Sequence, residues 1–130
     1  GQAYLIDYKT STPPSIAQQQ EFDKQLLLEA AMVERGGFDP MGALSVASAV
    51  YIGLGAKPSE TPAPLDKEPA AAVWANFEAL ISAYLEPETG FTARRAMFRE
   101  QDFSDYDPLS RFGEWDLTVP PTKEDLSDEG

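Results

Sequence analysis

Four side chains in the first thirty residues, Asp7, Lys9, Gln25 and Glu29, have the types and spacings that phosphate-ester chemistry uses. Asp7 and Lys9 lie two apart in LIDYKTSTPPS, a run that alternates as a strand does. Period two places Leu5, Asp7 and Lys9 on one face and Tyr4, Ile6 and Tyr8 on the other. A carboxylate holds a hard divalent cation through oxygen, and an ammonium beside it can steady an attacking water or the charge growing on a phosphate. A motif as short as D-x-K also recurs by accident, and its plain alternative is a solvent-facing strand end with an ordinary acid and base. Gln25 and Glu29 are four apart, on a helix face shared with Gln18, Phe22 and Met32. Beside the strand end they would bring an amide and an auxiliary carboxylate towards metal or DNA; otherwise they form a polar helix edge. The stretch FTARRAMFRE offers Arg94, Arg95 and Arg99 to DNA phosphates. Arginines snorkelling over an apolar surface would read the same way.

The elements that must position these groups are legible from pattern. Residues 2 to 10 read as a strand and TSTPPS as a connector, after which Ser15 and Gln18 make the S-x-x-Q form of a capping box. A single helix is expected from about 16 to 35, with Phe22, Leu26, Ala30 and Val33 at helical spacing and Gly36-Gly37 as its left-handed stop. SVASAVYIGL, 45 to 54, is uncharged and rich in small and β-branched residues, which predicts a strand buried on both faces. Strand, crossover helix and strand make a βαβ unit, so the sheet is at least partly parallel. AKPSETPAPLDKEP reads as a Pro-rich loop ending in Asp66 as an N-cap. A second helix over about 67 to 86 follows, with Trp74, Phe77, Ile81 and Tyr84 on one stripe. After Pro87 regularity fades, and the aromatics of DYDPLSRFGEW are expected to dock the C-terminal segment onto the core.

Composition bounds the chemistry. A chain of 130 residues, 42% hydrophobic, is about one small α/β domain. It has neither cysteine nor histidine, which excludes disulfides, thiol nucleophiles, imidazole bases and thiolate or histidine zinc sites. Carboxylate, lysine and hydroxyl chemistry remain. No apolar run approaches the ~20 residues of a membrane helix, and the N-terminus lacks the order of a secretion signal, so a cytoplasmic, membrane-free location is the expectation. The net charge of −12 argues against free-standing nucleic-acid binding. Part of it is local, because KEDLSDEG at the end reads as a solvated tail.

The order of features carries more than any one of them. DYKT, PPS, a helix with QLLLEAAM, ERGGF, a strand AVYIGL, a further helix and DYDPLSRFGEW together resemble the C-terminal nuclease domain of the AddB family, in its alphaproteobacterial form. These double-strand break repair subunits carry RecB-like PD-(D/E)XK nuclease domains. The resemblance spans the chain up to about residue 115. It implies a partial PD-(D/E)XK core over residues 1 to 116: strand, helix, strand and helix, a small mixed or parallel sheet, an irregular C-terminal segment, and a flexible acidic tail from 117 to 130. It further implies that Asp7 and Lys9 are the acid and lysine of the (D/E)-x-K motif, that the Tyr8 carbonyl is a metal ligand, and that Gln25 is the glutamine of Q-x-x-x-Y. Mg²⁺ or Mn²⁺ is the implied cofactor, and DNA and an AddA-like helicase–nuclease subunit are the implied partners.

The departures are specific. Glu29 stands where many relatives have tyrosine. Ser104 and Ser110 stand where iron–sulfur relatives have cysteines, so no cluster can be built. The family's preceding strand, with a further metal-binding aspartate, would lie before Gly1. The fragment alone is therefore expected to be a weak or inactive nuclease, with its first strand free to self-associate. The alternative is a non-catalytic interaction or scaffold module of a repair complex.

Overall fold

The computed structural model describes residues 1–90, 105, 107–114, 116, 118 and 119. They fall into two compact units, residues 1–79 and residues 80–130. The first holds a three-stranded mixed sheet in the order β1-β2-β3, with β1 at Gln2–Lys9, β2 at Ser45–Gly53 and β3 at Ser59–Pro62. β1 runs parallel to β2 with Asp7 opposite Tyr51 and Lys9 opposite Gly53, and β3 returns antiparallel. β3 falls inside the stretch expected to be a Pro-rich loop. Pro58 precedes it and Pro62 is its last residue, and a four-residue edge strand tolerates proline where a central strand does not.

Between β1 and β2 the chain makes two helices, α1 at Ile16–Glu21 and α2 at Gln25–Glu34, where one was expected. The capping box forms as predicted: the Ser15 hydroxyl accepts from Gln18 N–H and the Gln18 side chain accepts from Ser15 N–H. The break at residues 22 to 24 has an identifiable cause. The Tyr51 hydroxyl, from the centre of β2, accepts from Leu26 N–H at 3.3 Å and donates to Asp23 Oδ1 at 3.1 Å. An amide in the first turn of α2, with no partner inside the helix, is thereby satisfied from the sheet. Phe22, placed on the buried stripe of a single helix, is instead exposed, whereas Leu26, Ala30 and Val33 are buried as their spacing predicts.

α2 ends in a Schellman arrangement, with Gly37 N–H donating to Met32 O and Gly36 N–H to Val33 O. Gly36 has φ +72, and a Cβ there would lie 3.2 Å from Ala43 N. The core is Leu26 and Leu27 of α2, Ala49 and Tyr51 of β2, Ala63, and Val73 of α3 (Ala70–Leu85), with Leu5 packed against it. β2 is not buried on both faces. Ala49 and Tyr51 are buried against Leu26 and Leu27 of α2 and Gly53 against Pro13 and Ser59, while Val50 and Ile52 on the reverse face are half-buried beside the exposed Tyr4, Ile6 and Tyr8.

α3 starts three residues later than expected, the Pro69 carbonyl rather than Asp66 receiving its first amides, from Ala72 and Val73. Within it Ala70 and Val73 are buried, whereas Phe77 and Ile81 of the expected stripe are exposed. Trp74 is engaged differently, with the Arg35 guanidinium 4.8 Å from its ring centre. No described helix is long and apolar enough to cross a membrane.

In the second unit, residues 107 to 114 form a turn in which Phe112 N–H and the Ser110 hydroxyl both donate to the Asp107 carbonyl, and Arg111 pairs with Glu114. Asp116 accepts from the Thr118 amide and hydroxyl, which hold its carboxyl below the usual range. Arg94, Arg95, Arg99, Ser104 and nearly all of the acidic tail lie outside the described residues.

A β-carbon at a left-handed position costs about 1–3 kcal/mol. Gly36→Ala is expected to lower the unfolding free energy by that amount, read as a lower urea midpoint with an unchanged m-value. A midpoint equal to the parent chain's would remove Gly36 as the determinant of this stop.

Candidate active site

Asp7, Lys9 and Gln25 converge. The Lys9 ammonium donates to Gln25 Oε1 at 2.8 Å and lies 3.0 Å from Asp7 Oδ2. Gln25 Nε2 donates to Asp7 Oδ1 at 3.4 Å and to Glu29 Oε1 at 3.1 Å. The amide thus links both carboxylates to the lysine, as the strand spacing and the i, i+4 helix spacing require once α2 lies across the end of β1. Gln25 is the first residue of α2 and adjoins Leu26, whose N–H is held by Tyr51. The same Tyr51 ring lies 5.2 Å below the Lys9 ammonium. One buried tyrosine therefore sets the start of α2 and the floor under Lys9.

The two oxygens of Asp7 differ. Oδ1 accepts from Gln25, whereas Oδ2 is shielded from solvent and receives no hydrogen bond from the described residues, although the Lys9 ammonium is only 3.0 Å away. Contact and hydrogen bond are separate here: the pair attracts by charge, and Oδ2 keeps acceptor capacity. Side-chain exposure is 26% for Lys9 and 24% for Asp7, so the site is open to solvent on one side. A partly exposed ion pair contributes only about 0.2–1 kcal/mol, which makes orientation rather than stability its main physical effect.

The Tyr8 carbonyl is also placed. Leu54 N–H donates to Lys9 O at 2.8 Å, so Lys9 and Asp7 turn their backbone groups towards β2. Strand alternation then turns Tyr8 N–H and C=O to the other side, the edge that no described strand covers. Asp7 Oδ2 and the Tyr8 carbonyl are hard oxygen donors of the kind Mg²⁺ or Mn²⁺ takes. They fit such an ion in type and fall short in number, since among the described residues no three acidic groups are gathered closely enough to hold a metal. Compared with family models, curated proteins and solved structures, the chain matches none.

Tyr51 and Asp23 were not singled out in the sequence. Their signal was there: the one aromatic residue in an uncharged strand, with small Ala49 and Gly53 on the same face leaving room for a ring. Burial pushes the Tyr51 phenol well above its ordinary value; Asp23 and Asp7 push it further up, against the opposing pull of Leu26 N–H.

Because the folded state holds that proton more tightly, Tyr51 contributes stability that is complete below the unfolded value of about 10 and is lost as pH rises beyond it. One of the five tyrosines should resist ionisation in an absorbance titration until the chain unfolds. Tyr51→Phe should cost about 1–3 kcal/mol at neutral pH and flatten the loss of stability above pH about 10. Five tyrosines titrating together in the folded chain would contradict this placement.

Proposed function

We propose that this chain is the C-terminal part of an AddB-like, PD-(D/E)XK-type nuclease domain that hydrolyses DNA phosphodiesters in double-strand break repair. The observation that carries the reading is the closed set Asp7–Lys9–Gln25, three residues from two elements joined by contacts of 2.8 to 3.4 Å. Asp7 Oδ2 and the Tyr8 carbonyl would hold the divalent ion, which when bound supplies an activated water and countercharge for the phosphate. Lys9 donates to a non-bridging phosphate oxygen or to the attacking water, since its ammonium has three donors and Gln25 takes one. Gln25 fixes the Lys9 rotamer and one oxygen of Asp7, and Glu29 holds Gln25 in turn. This is pre-organisation of the reacting groups.

Two protein ligands bind a hard cation weakly, so a further acid is required. We place it on a strand pairing with the open edge of β1, towards which the Tyr8 carbonyl faces. Without that strand the chain is expected to have little nuclease activity, and its open edge is available to a second copy. DNA and an AddA-like helicase–nuclease subunit are the proposed partners; Arg94, Arg95 and Arg99 remain DNA-contact proposals.

A second reading, a non-catalytic scaffold module, is favoured by one feature: Tyr4, Ile6 and Tyr8 present an apolar row to solvent, 70%, 52% and 60% exposed.

The test is cleavage of end-labelled linear DNA with Mg²⁺. The chain alone should show at most trace activity. In a polypeptide that includes the preceding strand, Asp7→Ala and Lys9→Ala should each lower the rate by at least ~10²-fold, the scale of losing a charge-stabilising group. Full activity in the Asp7→Ala form would overturn the nuclease reading and leave the scaffold one.

A further inference from the structure

The carboxyl ends of β1 and β2 open into a groove of about 450 Å³ that the residues discussed so far do not use. Thr10, Ser11, Thr12 and Pro13 line one side; Gly55, Ala56, Lys57 and Ser59 line the other. The composition is unusual for this chain. It has 22 acidic residues against 10 basic, yet among the described residues the groove is lined by four hydroxyls and one ammonium, with no carboxylate. The nearest acid in sequence, Glu60, lies opposite Ile52, so it belongs to the reverse face of the sheet from Ser59.

The floor is built closely. A Cβ at Gly53 would come within 2.8 Å of Ser59 Oγ and 2.9 Å of Pro13 Cδ, and one at Gly55 would be 3.9 Å from Thr10 O. Glycines at the strand end and in the following loop thus let the two loops approach. The crevice outside the carboxyl ends of parallel strands is where open α/β sheets place ligands. Hydroxyls plus one lysine suit a ligand that accepts hydrogen bonds and carries negative charge, and backbone phosphates are contacted mainly by such groups.

We propose that this groove seats a phosphate of the nucleic-acid backbone, adjacent to the one reacting at Asp7 and Lys9. The placement rests on the nuclease reading: Thr10 follows Lys9 directly, so a strand whose scissile phosphate meets Lys9 continues onto Thr10, Ser11 and Thr12. Lys57 neutralises the neighbouring phosphate, and Thr12 and Ser59 donate to its oxygens. The groove is then the positioning subsite that keeps a long anionic substrate on an acidic protein.

The test is oligonucleotide binding by fluorescence anisotropy, using the Asp7→Asn chain in EDTA so that hydrolysis plays no part. Lys57→Gln should weaken binding about fivefold at 100 mM salt and reduce the slope of log K against log salt by about 0.7 for a single strand, one phosphate's worth. Thr12→Val should weaken binding without changing the slope, and Lys67→Gln, an exposed lysine on another loop, should change neither. Equal losses from Lys57→Gln and Lys67→Gln would overturn the groove and leave general charge. Failure of the Asp7→Asn chain to bind the oligonucleotide at all would also overturn the groove. Amide shifts at Thr10–Thr12 and Gly55–Lys57 with inorganic phosphate but not with the oligonucleotide would overturn the polynucleotide assignment. Loss of affinity in Lys57→Gln together with undiminished Mg²⁺-dependent cleavage by Asp7→Ala in the polypeptide that includes the preceding strand would overturn the hydrolytic reading and leave the groove standing.

Discussion

The arrangement depends on one hydroxyl. Tyr51, fully buried in the central strand, accepts from Leu26 N–H and donates to Asp23, and in doing so starts a new helix where the sequence pattern would continue the old one. Each of these bonds contributes about 1 kcal/mol net, but an unmet buried amide or phenol costs about 1–3 kcal/mol, so the two partners hold each other in place. Because Gln25 adjoins Leu26, fixing that amide fixes where the glutamine side chain begins. Because Tyr51 is the register partner of Asp7, the same residue ties the helix start to the acid.

This explains what was legible in the sequence. Strand limits, parallel pairing, the Ser15–Gln18 cap and the glycine stop follow from local rules, and each rule acts through the chain's own backbone. The helix break does not: its cause lies 25 residues away, in the buried phenol at the centre of β2. β3 was hidden because prolines 58 and 62 signal a loop to any local reading. The stripe on α3 was misplaced for a related reason. Periodicity finds an apolar face but not which side the sheet covers, and small Ala70 and Val73 fit closest against the core.

The site was more legible than the fold around it. Asp7 and Lys9 share a face by strand period, and Gln25 and Glu29 share one by helix period; what pattern could not supply was their meeting. Net charge is a whole-chain mean and does not describe local composition. The −12 belongs to all 130 residues, while the groove at the strand ends is lined by Lys57 and hydroxyls, and local potential can differ in sign from the mean.

On the proposed reading, Asp7 and the Tyr8 carbonyl hold one divalent cation at the end of β1, beside Lys9 and Gln25. Backbone amide relaxation in the presence of about 1 mM Mn²⁺, a concentration suited to a site with few protein ligands, tests it most directly. Line broadening centred on residues 7 to 9 together with 25 to 29, absent in Asp7→Asn, is the predicted result. Broadening confined to other acidic stretches, with residues 7 to 9 and 25 to 29 untouched, would contradict it.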